Sequence, residues 1–298
     1  MTSSRGTKET DRAYLEGLID KYLEALIAHD ASRLPLSRTL KHTENTIDLP
    51  VGEGLWATAS DNATYRLYVC DPQGGQIGFY GLMKENGFPI IIASRLKTVE
   101  GLITEIENIV VRGGERPIPV ENLVKPRPVF LEALAPSERV SREEMIRISD
   151  LYFEALEKDD GDIVPWGDGC ERVENGMQTT NNPNIQLPGS SSFNPIALGA
   201  REQINSKSFI YITVIKPRRY TAVDEERGLT FGTFMFHHAG NINFAEVPGV
   251  GEVEMIPAAR RPFTVVVSEL FKIKNGKIEA IEANMTSLPY RAKSGWDD

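Results

Sequence analysis

The chain states one pattern twice. Asp20-Lys21-Tyr22-Leu23-Glu24-Ala25-Leu26 is followed by Thr43-Glu44-Asn45 and then Leu49-Pro50. After residue 140, Asp150-Leu151-Tyr152-Phe153-Glu154-Ala155-Leu156 is followed by Val173-Glu174-Asn175 and then Leu187-Pro188. Both halves close alike, with Gly101 to Glu107 matching Gly276 to Glu282. An order that runs helix, Glu-Asn, Leu-Pro, hairpin is hard to produce twice by chance. It implies two copies of one domain, and two copies at this spacing are too few for a solenoid. It also directs the search for a site to polar residues that each copy buries.

The 298 residues suffice for two domains, each able to bury its own core. The reading divides them into a disordered lead (1–10), a first domain (11–115), a proline-rich linker (116–140) and a second domain with loop insertions (141–298). A net charge of -9 argues against a general nucleic-acid or anionic-membrane binder. The short basic run Lys216-Pro217-Arg218-Arg219 reads as loop or strand-end charge. Cys70 and Cys170 stand at non-equivalent points with no Cys-x-x-Cys, so buried free thiols in a reducing cytoplasm are expected. The polar N-terminus argues against an ordinary signal peptide, and no apolar run reaches the length of a membrane span.

Asp11 to about His29 has the spacing of an amphipathic helix, with Leu15, Leu18, Ile19, Tyr22, Leu23, Leu26 and Ile27 on one face. A strand is expected at Lys41–Asn45. Four more follow at Tyr65–Cys70, Gln76–Lys84, Ile90–Val99 and Leu102–Val111, separated by hairpin turns such as Glu85-Asn86-Gly87. Ser141-Arg142-Glu143-Glu144 opens the second long helix as a capping box. Strands are then expected at Glu171–Gly176, Ser208–Ile215, Leu229–His238, Phe263–Lys274 and Lys277–Thr286. The second copy carries two extra pieces, Thr179 to Asn194 and Ala239 to Pro262. Loops of that length often act as lids or partner contacts.

On the Tyr-hydrophobic-Glu-Ala-Leu helix, the Glu-Asn before Leu-Pro and the final Gly-x-Ile hairpin, each copy resembles the nuclear transport factor two-like superfamily, in its SnoaL-like branch. The resemblance implies an α+β fold, a cone in which N-terminal helices pack inside a highly curved antiparallel sheet, here duplicated in tandem. It implies a deep apolar pocket with a few ionisable side chains at its base and no cofactor. It also implies pairing through outer sheet faces, so that a tandem chain forms an internal pseudo-dimer, with further homo-oligomerisation left open. Fold alone does not choose among the superfamily's isomerases, dehydratases, cyclases, lyases acting on lignin-type aryl diols and pure binding modules.

A carboxylate or imidazole taken out of water in such a cone has its proton affinity moved toward a useful range. Counting alternate residues from Ile278 puts Ala280, Glu282 and Asn284 on its face. The matching face of the first copy is Ile103, Glu105, Glu107 and Ile109. With the isoleucines inward, Glu107, Glu282 and Asn284 are expected in the pocket. A register offset that puts the glutamates on the solvent face is the alternative, because Ile106 and Ile281 are apolar on the opposite face. His42 shares a strand face with Glu44, and Arg172 holds the position of His42 in the second copy. That possible acid–base pair favours the first copy. Asn45 and Asn175 either hold an oxyanion or bridge to loop backbone. His238 is expected inward with Phe234 and Phe236; metal binding beside His237 is the alternative, though no spacing encodes it. Trp56, Tyr65, Tyr80, Trp166 and Phe193 line a pocket or fill core. Arg95 is either a substrate contact or a snorkelling charge.

The Gly-x-Ser-x-Gly, phosphate-loop and dinucleotide fingerprints are absent in proper context, so no nucleotide cofactor is expected. Two readings stand. One is a cofactor-independent lyase, dehydratase or isomerase acting on a small, largely apolar, oxygenated molecule. The other is a non-catalytic ligand-binding or assembly module.

Overall fold

The computed structural model describes residues 10–114, 118–185, 193–257 and 259–296. The expected lead (apart from Thr10), Pro117 of the linker and Leu187-Pro188 of the repeat lie outside these residues. In each copy a long helix leads. Helix α1 (Arg12–Ile27) is capped by Asp11, whose carboxylate accepts from Tyr14 N at 2.7 Å. Its apolar stripe, Leu15 through Leu26, is fully buried. Helix α4 (Arg142–Lys158) is capped by Ser141 and ends on left-handed Asp159. Between them lie the single turns α2 (Leu55–Thr58) and α3 (Pro128–Leu131).

The strands of the first copy are β1 (Leu36–Glu44), β2 (Ile47–Asp48), β3 (Ala59–Asp71), β4 (Gln76–Glu85), β5 (Phe88–Val99) and β6 (Leu102–Arg112). The second copy has β7 (Trp166–Glu174), β8 (Met177–Gln178), the short helix α5 (Ala200–Asn205), β9 (Val214–Asp224), β10 (Leu229–His238), β11 (Phe244–Val247), β12 (Gly251–Glu254), β13 (Phe263–Lys274) and β14 (Lys277–Leu288). The sheets run β2-β1-β6-β5-β4-β3 and β8-β7-β14-β13-β10-β9, the same order twice. In both, only the first long strand and the last pair in parallel. This is an α+β architecture of two six-stranded curved sheets, and its topology is duplicated.

One expected strand is displaced. Ser208–Thr213 is turn and coil, and the strand begins at Val214 and runs through the basic run Lys216-Pro217-Arg218-Arg219. Strand β9 is an edge that pairs only with β10, where a proline costs no ladder bond. Its arginines are paired, Arg218 with Asp150 and Glu157, and Arg219 with Glu107. They are not loop charges.

The apolar residues form three main cores. Helix α1 and the inner face of the first sheet enclose one, and α4 with the second sheet encloses another. The third lies between the outer sheet faces, where Tyr65, Leu67, Tyr80, Ile91 and Ile109 meet Ala222, Phe231, Met235, Val266 and Leu270. The copies therefore stand back to back. Gly78 shows how close they come: a Cβ there would lie 2.6 Å from the Phe231 ring. Cys70 and Cys170 are buried and free. No described helix is long and apolar enough to cross a membrane.

Candidate active site

The second cone is hollow at its mouth. A cavity of about 260 Å³ opens there, with Arg172, Glu174, Thr179 and Gln203 as its main polar wall. The remaining wall is largely apolar and includes Phe209, Tyr211, Ile196 and Met255. The excursion after β10 folds over it as the β11–β12 hairpin, which contributes Ala245, Val247 and Val253. Those lid residues have their own small core with Met255 and Ala259.

Arg172 organises the floor. It is 1% exposed. Its Nη1 donates to Tyr152 Oη at 3.0 Å, Nη2 donates to Gln203 Oε1, and Nε donates to Thr179 Oγ1 at 3.1 Å. Glu174 Oε1 lies 2.8 Å from Nε. The guanidinium also lies over the Phe209 ring at 5.0 Å. Burial opposes its charge, but Tyr152 and Glu174 more than offset that, so it stays protonated. A guanidinium has five N–H donors, and among the described residues each terminal nitrogen makes one bond, which leaves each a second N–H.

Glu269 lies behind this floor, at a cone-facing position of β13 between Val267 and Phe271. Burial pushes its carboxyl up to about 8, against the pull of Arg172 and with the push of Glu174. Its Oε2 has no hydrogen-bond partner among the described residues. At neutral pH the cone therefore holds a charged guanidinium, an ion-paired carboxylate and a protonated acid. Burial, as the first cause, also raises the Tyr152 phenol above its ordinary value.

The first cone has the same frame and different contents. The repeated helix motif aligns Tyr22 with Tyr152, and strand register makes His42, Glu44, Ser94 and Asn108 the counterparts of Arg172, Glu174, Glu269 and Ala283. Ser94 Oγ donates to Asn108 Oδ1 at 2.8 Å, and Asn108 Nδ2 donates to Tyr22 Oη at 2.7 Å. Trp56 packs edge-on to Tyr22, with ring centroids 5.6 Å apart, and is fully buried. His42 and Glu44 do face this cone, but they are not bonded to each other. His42 Nδ1 meets Leu49 O at 3.0 Å, while Glu44 accepts from Leu55 N at 2.7 Å and from Arg112 Nη2 at 2.8 Å.

Glu107 and Glu282 lie on the opposite face from the one expected. Thr104 in β6 and Glu279 in β14 are each one extra residue against the neighbouring strand. A single-residue bulge exchanges the two faces of everything after it. Ile103 and Ile278 do face their cones, but beyond the bulge Ile106 and Ile281 take over that role. The two glutamates do not reach solvent either, because the outer faces are packed together. Glu107 meets Arg95 at 2.9 Å and Arg219 at 2.9 Å; Glu282 accepts from Tyr65 Oη at 2.6 Å. Asn284 is buried on the same outer face as Glu282.

Tyr65, Tyr80 and Arg95 belong to this layer too. Tyr80 Oη donates to Ser268 O at 2.8 Å, across the copies. Arg95 is neither a cone contact nor a snorkelling charge: it is buried between Glu105 and Glu107. Asn45 and Asn175 have positive φ, and each exchanges two bonds with backbone of the last strand, at Val110 and Met285 respectively. They hold the β1–β2 and β7–β8 turns and take no part in a pocket. Trp166 is core, and its Nε1 donates to Gly161 O. Phe193 lines the second cavity.

His238 is inward, as alternation with Phe234 and Phe236 implies. It is stacked between Phe263 at 4.1 Å and Tyr211 at 5.2 Å, and burial pushes it down to about 4. The ring nitrogens of His237 meet Thr264 Oγ1 and Lys216 O. Among the described residues, no three His, Cys, Asp or Glu side chains converge as a metal cluster.

Sequence reasoning missed Tyr152, Arg172, Glu269 and Gln203 as site residues; Arg172 was noted only as the counterpart of His42. Tyr152 stood inside the repeated helix motif. Glu269 had a signal as well: it is a lone carboxylate in the apolar run Val265 to Phe271. Gln203 had none, because it sits on a helix that exists only in the second copy.

A family described as a domain of unknown function (DUF8021) matches residues 138–285, almost the whole second copy. Among solved structures, the chain is similar to a putative ketosteroid isomerase from Kribbella flavida DSM 17836. The identity is 16% over 42% of this chain and 98% of that one, with a TM-score of 0.30. It is also similar to AclR, a putative hydroxylase from Streptomyces galilaeus, at 13% identity over 39% and 89% of the two chains, with a TM-score of 0.28. PrhC from Penicillium brasilianum NBRC 6234 matches at 12% identity over 49% and 82%, with a TM-score of 0.27. No curated protein matches the chain. At these scores neither a substrate nor a residue's role passes to this chain.

Proposed function

We propose that the second cone binds a small, mostly apolar, oxygenated molecule and moves a proton on it without a cofactor, in an isomerisation or an elimination. The observation that carries this reading is the floor of that cavity, where Arg172, Glu174 and Gln203 converge beneath otherwise apolar walls. A volume of about 260 Å³ is just below the usual range for drug-sized ligands, which suits a molecule of roughly one or two rings. The free donors of Arg172 suit an oxygen that gains negative charge. Glu174, on the cavity wall, accepts the proton from the carbon beside that oxygen-bearing centre. Glu269 stays protonated and adds no second negative charge behind the guanidinium. Elimination from an aryl diol would use the same groups: Glu174 takes the proton as the carbon–oxygen bond breaks, and passes it to the departing hydroxide, which leaves as water.

One observation favours the binding-only reading. Glu174 is ion-paired with Arg172 at 2.8 Å, so the oxygen that would take the proton is already engaged. Proton exchange separates the two. The full chain is incubated with 2-tetralone in deuterium oxide, and loss of the signal of the protons beside the carbonyl is followed by NMR. Catalysis requires exchange above background that falls at least about tenfold in Glu174→Gln, the scale of a lost general base. Thermal stabilisation by the ketone without enhanced exchange selects the binding module. Neither effect at millimolar ketone removes the proposal.

A further inference from the structure

Because the copies stand back to back, each locus in the layer between them has a counterpart. Thr43 pairs with Glu107 as Val173 pairs with Glu282, and Thr46 follows left-handed Asn45 as Gly176 follows Asn175. On the first copy this locus is filled by Trp296. Its Nε1 donates to Thr43 Oγ1 at 3.0 Å, and its ring lies against Arg95 at 4.5 Å, Lys41 at 4.6 Å and Arg219 at 5.0 Å. Gly295 fits tightly beside Thr46, where a Cβ would lie 2.5 Å from the carbonyl oxygen. On the second copy the linker takes the place of that tail. Leu123 covers Gly176, and Asn122 Nδ2 donates to Gly176 O at 3.0 Å. The linker fills the space only in part. A cavity of about 350 Å³ remains, with Tyr65, Leu123, Lys125, Arg127, Val173 and Glu282 in its walls.

We infer that this cavity between the copies is a second ligand site, distinct from the cone, and that it takes a small planar aromatic carboxylate. The shape argument is internal to the molecule. The counterpart locus accommodates an indole, and the ring of Tyr65 with Leu123 and Val173 offers apolar walls here. The charge argument is a surplus of cations. Lys125 and Arg127 face a single carboxyl, Glu282, whose burial favours its neutral form although Arg127 and Tyr65 oppose this. Arg127 is held in place by its bonds to Ile281 O and Glu171 O. Its buried Nε is ion-paired with Glu282 Oε2 at a long 3.6 Å, without a hydrogen bond among the described residues. A buried donor in that state is favourably placed for an incoming acceptor. Lys125 is exposed at the rim and supplies attraction at little cost in desolvation.

The test is calorimetric titration of the full chain with indole-3-carboxylate. One-to-one binding is expected. Lys125→Ala is expected to weaken it about fivefold, the scale of one exposed charge pair. Val173→Trp, which rebuilds the indole plug of the first copy, is expected to abolish it. Val253→Trp, which fills the cone cavity instead, is expected to leave it unchanged. No binding at millimolar probe overturns the inference. So does binding that survives Val173→Trp and is lost in Val253→Trp, because the probe then occupies the cone. If Val173→Trp does not fold, Lys125→Ala on the exposed rim decides, and unchanged affinity in it overturns the inference.

Discussion

The two cones share a topology, a leading helix and a tyrosine at the same turn of that helix, yet among the described residues the cavity of about 260 Å³ opens in the second. In the first, Ser94, Asn108 and Tyr22 form an unbroken chain of neutral hydrogen bonds, and Trp56 occupies the space beside it. In the second, Ala283 replaces the asparagine and Glu269 replaces the serine. Arg172 replaces His42 and gathers Tyr152, Gln203, Thr179 and Glu174. Both cones keep unpartnered buried atoms among the described residues, His42 Nε2 and Trp56 Nε1 in the first and Glu269 Oε2 in the second, so the contrast is a neutral hydrogen-bonded chain against a floor with an ion pair and a buried acid. The loops follow the same division. Between β2 and β3 the first copy has only residues 49–58, while the corresponding stretch of the second, 179–213, carries α5 and brings Gln203 to the floor. On the function proposed above, the second copy carries the site, and the first is the body against whose outer face it packs.

The largest effect that would break this comparison concerns packing. Trp56→Ala removes a ring that is 1% exposed in a full core, and about 3–5 kcal/mol of stability should go with it. Phe209→Ala removes a half-buried ring that already borders a cavity, so about 1 kcal/mol is expected, since fewer of its contacts are lost. Urea denaturation of the two variants measures both. Equal costs would mean that the second cone is as tightly filled as the first.

The next effect is electrostatic. The Glu269 carboxyl titrates at about 8 when folded and near its ordinary value of 4.5 when unfolded. Between those values the folded chain binds more protons than the unfolded one. Stability from this group is therefore complete below about pH 4.5 and is lost as pH rises toward 8. Across pH 5 to 9 the loss is about 2–4 kcal/mol. Glu269→Gln should abolish that slope in denaturation midpoints taken at successive pH values. A slope that persists in the variant would place the titrating group elsewhere.

Much of the fold was legible because duplication and alternation are properties of sequence. The expected strands Leu229–His238 and Phe263–Lys274 coincide with β10 and β13. The site was less legible for two physical reasons. Bulges at Thr104 and Glu279 exchanged the faces of the final strands, and no residue type marks an insertion of one. The apolar Ile106 and Ile281 were the available clue, since an isoleucine needs burial more than a glutamate does. Burial at the back-to-back layer then concealed the error, because Glu107 and Glu282 are as deeply buried there as a pocket residue would be. Gln203 lay beyond reach, since its place on the cone floor depends on an insertion with no counterpart in the first copy.

The smallest effect sharpens the contrast by reversing its sign. His42 faces the first cone, and its burial lowers its pKa below 6.5, although Leu49 O, Glu44 and Asp48 act in the other direction. The unfolded chain then binds more protons than the folded one in the acid range. Stability that depends on neutral His42 is held above about pH 6.5 and falls on acidification, opposite to the Glu269 effect. His238 titrates in the same direction from the second copy, at about 4, so the measurement must be a difference. In a Glu269→Gln background, which removes the opposing slope, His42→Asn is compared with its parent at pH 7 and pH 5. The parent should lose more stability on acidification than the variant, because only the parent must protonate, or keep neutral, a buried imidazole whose Nε2 has no partner among the described residues. If parent and variant lose the same amount, His42 is not the group that makes the first cone acid-sensitive. The opposite pH responses of the two cones would then rest on Glu269 alone.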